Sequence, residues 1–162
     1  MRRLAPILTL LAALSAPAAF AEVEPAFNAE LGGPQKLSAN LGFRVATGTP
    51  EQRGIGRGFV FQVQPGLAGG SLNAGWMPTS FAAQGTQAIG VGLKARLLRT
   101  WGSPWGADPR RTYAGVEAAA VIGVKLSIGV LWRLGSAGGG SAGAGSAGGR
   151  RSVLTWGAGI GF

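Results

Sequence analysis

The chain has 162 residues, enough for one domain; 46% of them are hydrophobic, only 13% are charged, and 30 are glycine. Soluble domains carry about a quarter charged residues, the chain is too apolar for disorder, and glycines without a three-residue period exclude a collagen. The net charge of +9 comes from scattered basic residues rather than a dense patch interleaved with aromatics, so no nucleic acid is expected as a partner.

The first segment is a leader. Arg2 and Arg3 precede an apolar run from Leu4 to about Ala16, and Ala19-Phe20-Ala21 fits the small-residue rule for signal peptidase. Residues 1–21 are therefore read as a cleavable secretory signal peptide, and 22–162 as the mature domain. An uncleaved anchor fits less well, because the run is short of the roughly 20 residues a spanning helix takes and Pro6 and Pro17 interrupt it. A twin-arginine signal lacks the usual flanking residues.

After Ala21 the apolar period is two, the period of a strand, and abundant glycine would weaken a helix. Eight segments follow in order. Ala26–Gly32 sets Phe27, Ala29 and Leu31 against Asn28 and Glu30. Leu37–Thr47 sets Leu41, Phe43 and Val45 against Asn40 and Arg44. Gly58–Ala68 sets Phe59, Phe61 and Val63 against Gln62 and Gln64. Gly70–Met77 sets Leu72, Ala74 and Trp76 against Ser71 and Asn73. Gln87–Arg99 sets Val91, Leu93 and Leu97 against Lys94 and Arg96. Arg111–Ile122 sets Ala114, Val116 and Ala118 against Gly115 and Glu117. Val124–Leu134 sets Leu126, Ile128 and Trp132 against Lys125, Ser127 and Arg133. Arg151–Phe162 sets Leu154, Trp156, Ala158, Ile160 and Phe162 against little but glycine. The connections carry breakers: GGPQK, GTPEQRGIG, AGG, PTSFAAQG, TWGSPWGADPR and a tight IGV. The last is residues 135–149, three near-copies of a Gly/Ser/Ala pentapeptide, read as a flexible loop.

Alternation does not by itself say which face points outward. A soluble ligand-carrying barrel puts the apolar set inside; a membrane barrel does the reverse. The polar set is mostly Gly, Ser, Asn and Gln, which suits the crowded interior of an eight-stranded barrel better than a watered surface. The expected fold is thus all-β, a single up-and-down antiparallel transmembrane β-barrel of eight strands. Its lumen would hold Glu30, Arg44, Lys94, Arg96, Glu117, Lys125 and Arg133, and buried charges need partners. If the fifth and sixth strands fold back symmetrically about Trp105, Lys94 falls opposite Glu117, with Arg96 beside them. Phe27, Phe43, Phe59, Phe61, Trp76 and Phe162 would form one aromatic belt, and Trp101 and Trp132 part of another.

The last strand resembles the C-terminal signature of bacterial outer-membrane β-barrels: Phe162 at the end, preceded at alternating positions by Ile160, Ala158, Trp156 and Leu154. The resemblance is to a class, the small eight-stranded outer-membrane barrels, and covers the whole mature chain. It implies an outer-membrane location in a Gram-negative cell envelope, surrounding lipid, recognition of the last strand by the barrel-assembly machinery, and a monomer. Such barrels have short turns at one end and long loops at the other. Here GTPEQRGIG and PTSFAAQG are long on the short side and AGG is short on the long side. Either the strand count is off by a hairpin or one wall is low.

Some barrels of this size are enzymes. The lipid A deacylases are similar in architecture and use Ser, His and Glu, and the lipid A palmitoyltransferase has a catalytic His. This chain has no histidine and no cysteine, so no Ser–His dyad forms and no metal is expected. Glu30 and Glu117 are better read as neutralising the basic lumen than as a carboxylate pair, and GIGRG at 54–58 lacks the rest of a phosphate loop. The expected function is a non-enzymatic barrel without cofactor, structural or acting through its outer loops. A narrow anion-leaning, porin-like pore and a soluble periplasmic barrel binding an apolar ligand are the alternatives. Arg99, Arg110, Arg111, Arg150 and Arg151 flank the two long outer loops, where they would meet lipopolysaccharide phosphates, or simply mark strand ends at the headgroups.

Overall fold

The computed structural model describes residues 22–47, 57–76, 79–80, 89–122, 124–135 and 150–161. The leader (1–21), Phe162 and all of the Gly/Ser/Ala tract except Gly135 lie outside the described residues. The described chain is all-β. Its strands are β1 (Glu22–Gly33), β2 (Lys36–Thr47), β3 (Arg57–Gly66), β4 (Gly69–Trp76), β5 (Ile89–Thr100), β6 (Thr112–Ile122), β7 (Val124–Leu134) and β8 (Ser152–Gly161). Each pairs antiparallel with its neighbour in sequence, and β1 pairs with β8, so the sheet closes as an up-and-down barrel.

The register fixes the geometry. From Val23, partners run through Val45, Phe59, Trp76, Leu93, Ala118, Ile128 and Trp156 back to β1, at Gly33. One circuit therefore climbs from residue 23 to residue 33, a stagger of ten residues. With ordinary strand spacings, eight strands at this stagger tilt by ~40° and enclose a cylinder of radius about 8 Å. Side chains can fill such an interior.

The apolar set points outward. Phe27, Leu41, Phe59, Leu72, Val91, Ile128 and Ile160 are each more than half exposed, whereas Asn40, Gln64, Lys94, Glu117 and Thr155 are fully buried inside. Small residues make this possible. At the inward positions Gly42, Gly75 and Gly115, a Cβ would run into the backbone of the adjoining strand, so glycine lets the wall curl tightly there.

Most strand ends shift by one or two residues from the sequence reading, and two shift further. β1 begins at Glu22 rather than Ala26, running through Pro25. Below Asn28 its described neighbour is β2 alone. The pairing of β4 also outlasts Trp76. Thr79 and Ser80 pair with Gly90 and Ile89 in the register that set Trp76 against Leu93. That two-residue piece belongs to β4, which shortens the PTSFAAQG connection and leaves the strand count at eight.

Take the upper end as the one carrying the Gly33–Lys36 turn. Aromatics gather toward both ends of the outer wall. Near the lower end Phe43 packs on Phe61 with ring centroids 5.5 Å apart, Phe59 is in register with Trp76, and Phe27 lies beside Leu41. Trp101, Trp105, Trp132 and Trp156 lie toward the upper end.

Candidate functional site

The lumen holds the polar chemistry. Lys94 and Glu117 are directly opposite on β5 and β6, and Lys94 Nζ lies 3.1 Å from Glu117 Oε1. Arg96, one pleat higher and facing Gly115, reaches back to Glu117 Oε2. All three side chains are buried, so the carboxylate is held between two cations out of water.

The second cluster crosses a strand. Glu30 on β1, Gly159 on β8 and Lys125 on β7 share one row of the register. Glu30 Oε2 accepts from Lys125 Nζ across Gly159, and Glu30 Oε1 accepts from Ser127 Oγ at 3.0 Å. Gly157 leaves room for this. A Cβ there would overlap the Glu30 carboxylate and come within 2.8 Å of Ser127 Oγ. The bare inner face of the last strand is the passage through which its two neighbours meet.

Amides and hydroxyls join the clusters. Asn40 donates to Asn28 at 2.7 Å and to Glu30 at 3.4 Å. Asn73 donates to Asn40 and Gln64, Ser71 to Gln64, and Gln64 to Ser38 at 2.9 Å. Gln35 folds in from the β1–β2 turn, donates to the Gln64 and Gly69 carbonyls at 2.7 and 3.1 Å, and accepts from Arg96 Nη2. One connected network spans the lumen.

Above it the lining turns apolar. Leu98, Tyr113, Leu131 and Val153 form a buried layer, and Ala107 of the β5–β6 connection packs on it. That connection, residues 101–111, is a strap across the mouth. At one side Trp101 Nε1 donates to the Leu67 carbonyl at 3.1 Å, and its ring covers Gly70 on β4. At the other, Trp105 N donates to the Pro34 carbonyl at 3.1 Å and the indole stacks on Trp156 of β8, centroids 6.3 Å apart. Trp101 N also donates to the Ala68 carbonyl in the β3–β4 turn, so four residues carry the strap from that turn to the β1–β2 turn. Asp108 anchors the inner side: its N–H donates to Tyr113 Oη at 3.1 Å, and its carbonyl accepts from Thr100 Oγ1 at 2.7 Å.

No family model, curated protein or solved structure matches the chain.

The residues expected in the lumen all face inward, in three places rather than one. Glu30 with Lys125, and Glu117 with Lys94 and Arg96, share the central network. Arg44 is buried lower down, in register with Glu24 of β1. Arg133 sits at the mouth, 3.9 Å from Asp108 of the strap. Of the last-strand signature, Leu154, Trp156, Ala158 and Ile160 point outward. Arg99 donates to Thr112 Oγ1 at 2.9 Å and Arg150 to the Gly106 carbonyl at 2.9 Å; Arg110, Arg111 and Arg151 are exposed at the same end. Sequence reasoning missed Gln35, Lys36 and Trp105. The tryptophans of TWGSPWGADPR were the available signal, since two large aromatics in a loop need a surface to cover. Among the described residues no three His, Cys, Asp or Glu gather as metal ligands.

Proposed function

We propose that the protein is a non-enzymatic outer-membrane β-barrel whose lumen is closed, and that it acts as a structural element or through the loops at its upper end. One observation carries the reading. Among the described side chains, the outer wall has a single charge, Arg99 at the upper rim; below it every strand presents only apolar or small residues. Such a wall is far larger than the apolar patches water tolerates on a monomer. The two aromatic groups lie roughly 20 Å apart along the axis at ordinary rise and tilt, comparable with the apolar band between aromatic girdles. Closure supports it too, because a sheet in lipid has no water to satisfy a free edge.

A pore draws little support from a lumen crossed by a hydrogen-bonded network and capped by Leu98, Tyr113, Leu131 and Val153. A carrier of apolar ligands would need the opposite faces. The test is fractionation of cells expressing the full chain, with gels run unboiled and boiled. The expected result is outer-membrane recovery, a mobility shift on boiling, and no steady conductance in planar bilayers. Recovery from the soluble periplasm without a shift would overturn the proposal.

A further inference from the structure

The upper mouth gathers charge of one sign. Lys36, Arg99, Arg110, Arg111, Arg150 and Arg151 lie at its strand ends and connections, and its described carboxylate, Asp108, faces Arg133. Among the described residues none of the six cations has a carboxylate within ion-pair distance.

Two of them are built into one spot, where the strap lands. Lys36 Nζ donates to Ser103 Oγ at 3.1 Å and lies 5.8 Å from the centre of the Trp105 ring. Arg150 Nη1 donates to the Gly106 carbonyl at 2.9 Å. Ser103 and Gly106 bracket Trp105, so an ammonium and a guanidinium flank the indole stacked on Trp156. Each cation keeps unused donors. Directly below, the wall is apolar: Leu31 pairs with Ala158, and Ala29 with Ile160.

We infer that this landing point binds the phosphate of an anionic amphiphile. The phosphate oxygens take the free donors of Lys36 and Arg150; the Trp105–Trp156 stack covers the glycerol or sugar junction; the acyl chains follow the wall past Leu31 and Ala158. Charge complementarity and the continuous apolar wall below favour an amphiphile over free phosphate, which would use the cations alone. Because both cations hold the strap, a bound headgroup also pins the mouth shut. The inference rests on the membrane reading above.

The test uses the full chain folded into phosphatidylcholine vesicles containing a minority of phosphatidylglycerol, with bromine on the acyl chains of one lipid or the other. Trp76, Trp101 and Trp132 are replaced by Phe, so that quenching reports on Trp105 and Trp156, the two remaining tryptophans. At equal bromine content, brominated phosphatidylglycerol is expected to quench about fivefold more effectively, the attraction of one basic side chain at an anionic surface. Lys36→Gln with Arg150→Gln should abolish the preference, while Arg99→Gln with Arg111→Gln, around the barrel at the β5–β6 ends, should keep it. Equal loss in both pairs means a diffuse field and overturns the site, as does a preference surviving in the first pair. Loss of the preference to inorganic phosphate at constant ionic strength assigns the cations to free phosphate and overturns the amphiphile. Quenching without preference sinks the site alone; no quenching even by brominated phosphatidylcholine sinks the membrane reading and the site with it.

Discussion

Glu30 and Lys125 form a buried ion pair across a strand that stands between them. Their strands, β1 and β7, are not neighbours in the sheet; β8 separates them and contributes Gly159 to the row on which both lie. The β1–β8 seam has six registered pairs, the fewest between any neighbouring long strands among the described residues. The ion pair therefore bridges the barrel where its registered pairing is shortest.

Glu30→Gln leaves the Lys125 ammonium buried without a counter-charge and should cost about 3 kcal/mol. Adding Lys125→Met removes the stranded charge and should recover most of that loss. Urea unfolding in micelles, followed by tryptophan fluorescence, gives both numbers. A double variant no better than Glu30→Gln would mean that a stranded Lys125 ammonium is not the source of the loss.

Gly157→Ala puts a methyl group into the space of the Glu30 carboxylate and should destabilise by about 2 kcal/mol, the usual cost of overfilling a packed interior. The loss should shrink by half or more in a Glu30→Ala background, because the obstruction is gone. If the two changes are simply additive in the same unfolding assay, the close approach is not real.

Glu117 serves two cations and Lys94 only one carboxylate, so the cluster should respond asymmetrically. Glu117→Gln strands Lys94 and Arg96 together and should cost about 4 kcal/mol. Lys94→Met leaves Glu117 paired with Arg96 and should cost less than half as much. Equal losses would mean that Arg96 does not compensate Glu117.

Trp105→Ala removes the stack on Trp156 but nothing from the wall. Global stability should fall by no more than about 1 kcal/mol, while trypsin cleavage after Arg110 and Arg111 should quicken about tenfold as the strap lifts. Unchanged cleavage would show that the hydrogen bond to Pro34 and the Asp108 anchors hold the strap unaided.

The eight-stranded up-and-down barrel and the contacts within one hairpin were legible in the sequence; contacts that depend on the stagger around the whole circuit were not. The alternation of Phe59, Phe61 and Val63 against Gln62 and Gln64 identifies a strand and, with so little charge on the polar side, which face turns inward. The Lys94–Glu117 pair follows from folding one hairpin about its loop. Glu30–Lys125 depends instead on the ten-residue stagger accumulated around the whole circuit, which no single hairpin contains. The extra turn of pairing at Thr79–Ser80 is hidden by Pro78 before it. The Trp105–Trp156 stack needs a loop to cross the mouth, and a period-two pattern says nothing about loops.

The glycine-bare face of β8 also bears on the order of assembly. A sheet of seven strands, ending at Leu134, has Glu30 and Lys125 near its two open edges, about 95 residues apart along the chain. Neither charge has its counter-ion until the last strand is in place. A half-closed sheet thus carries two stranded charges as well as two free edges, and both penalties vanish in one step. Closure is accordingly all-or-none, and a chain truncated after Leu134 should remain open to protease, however well its hairpins form.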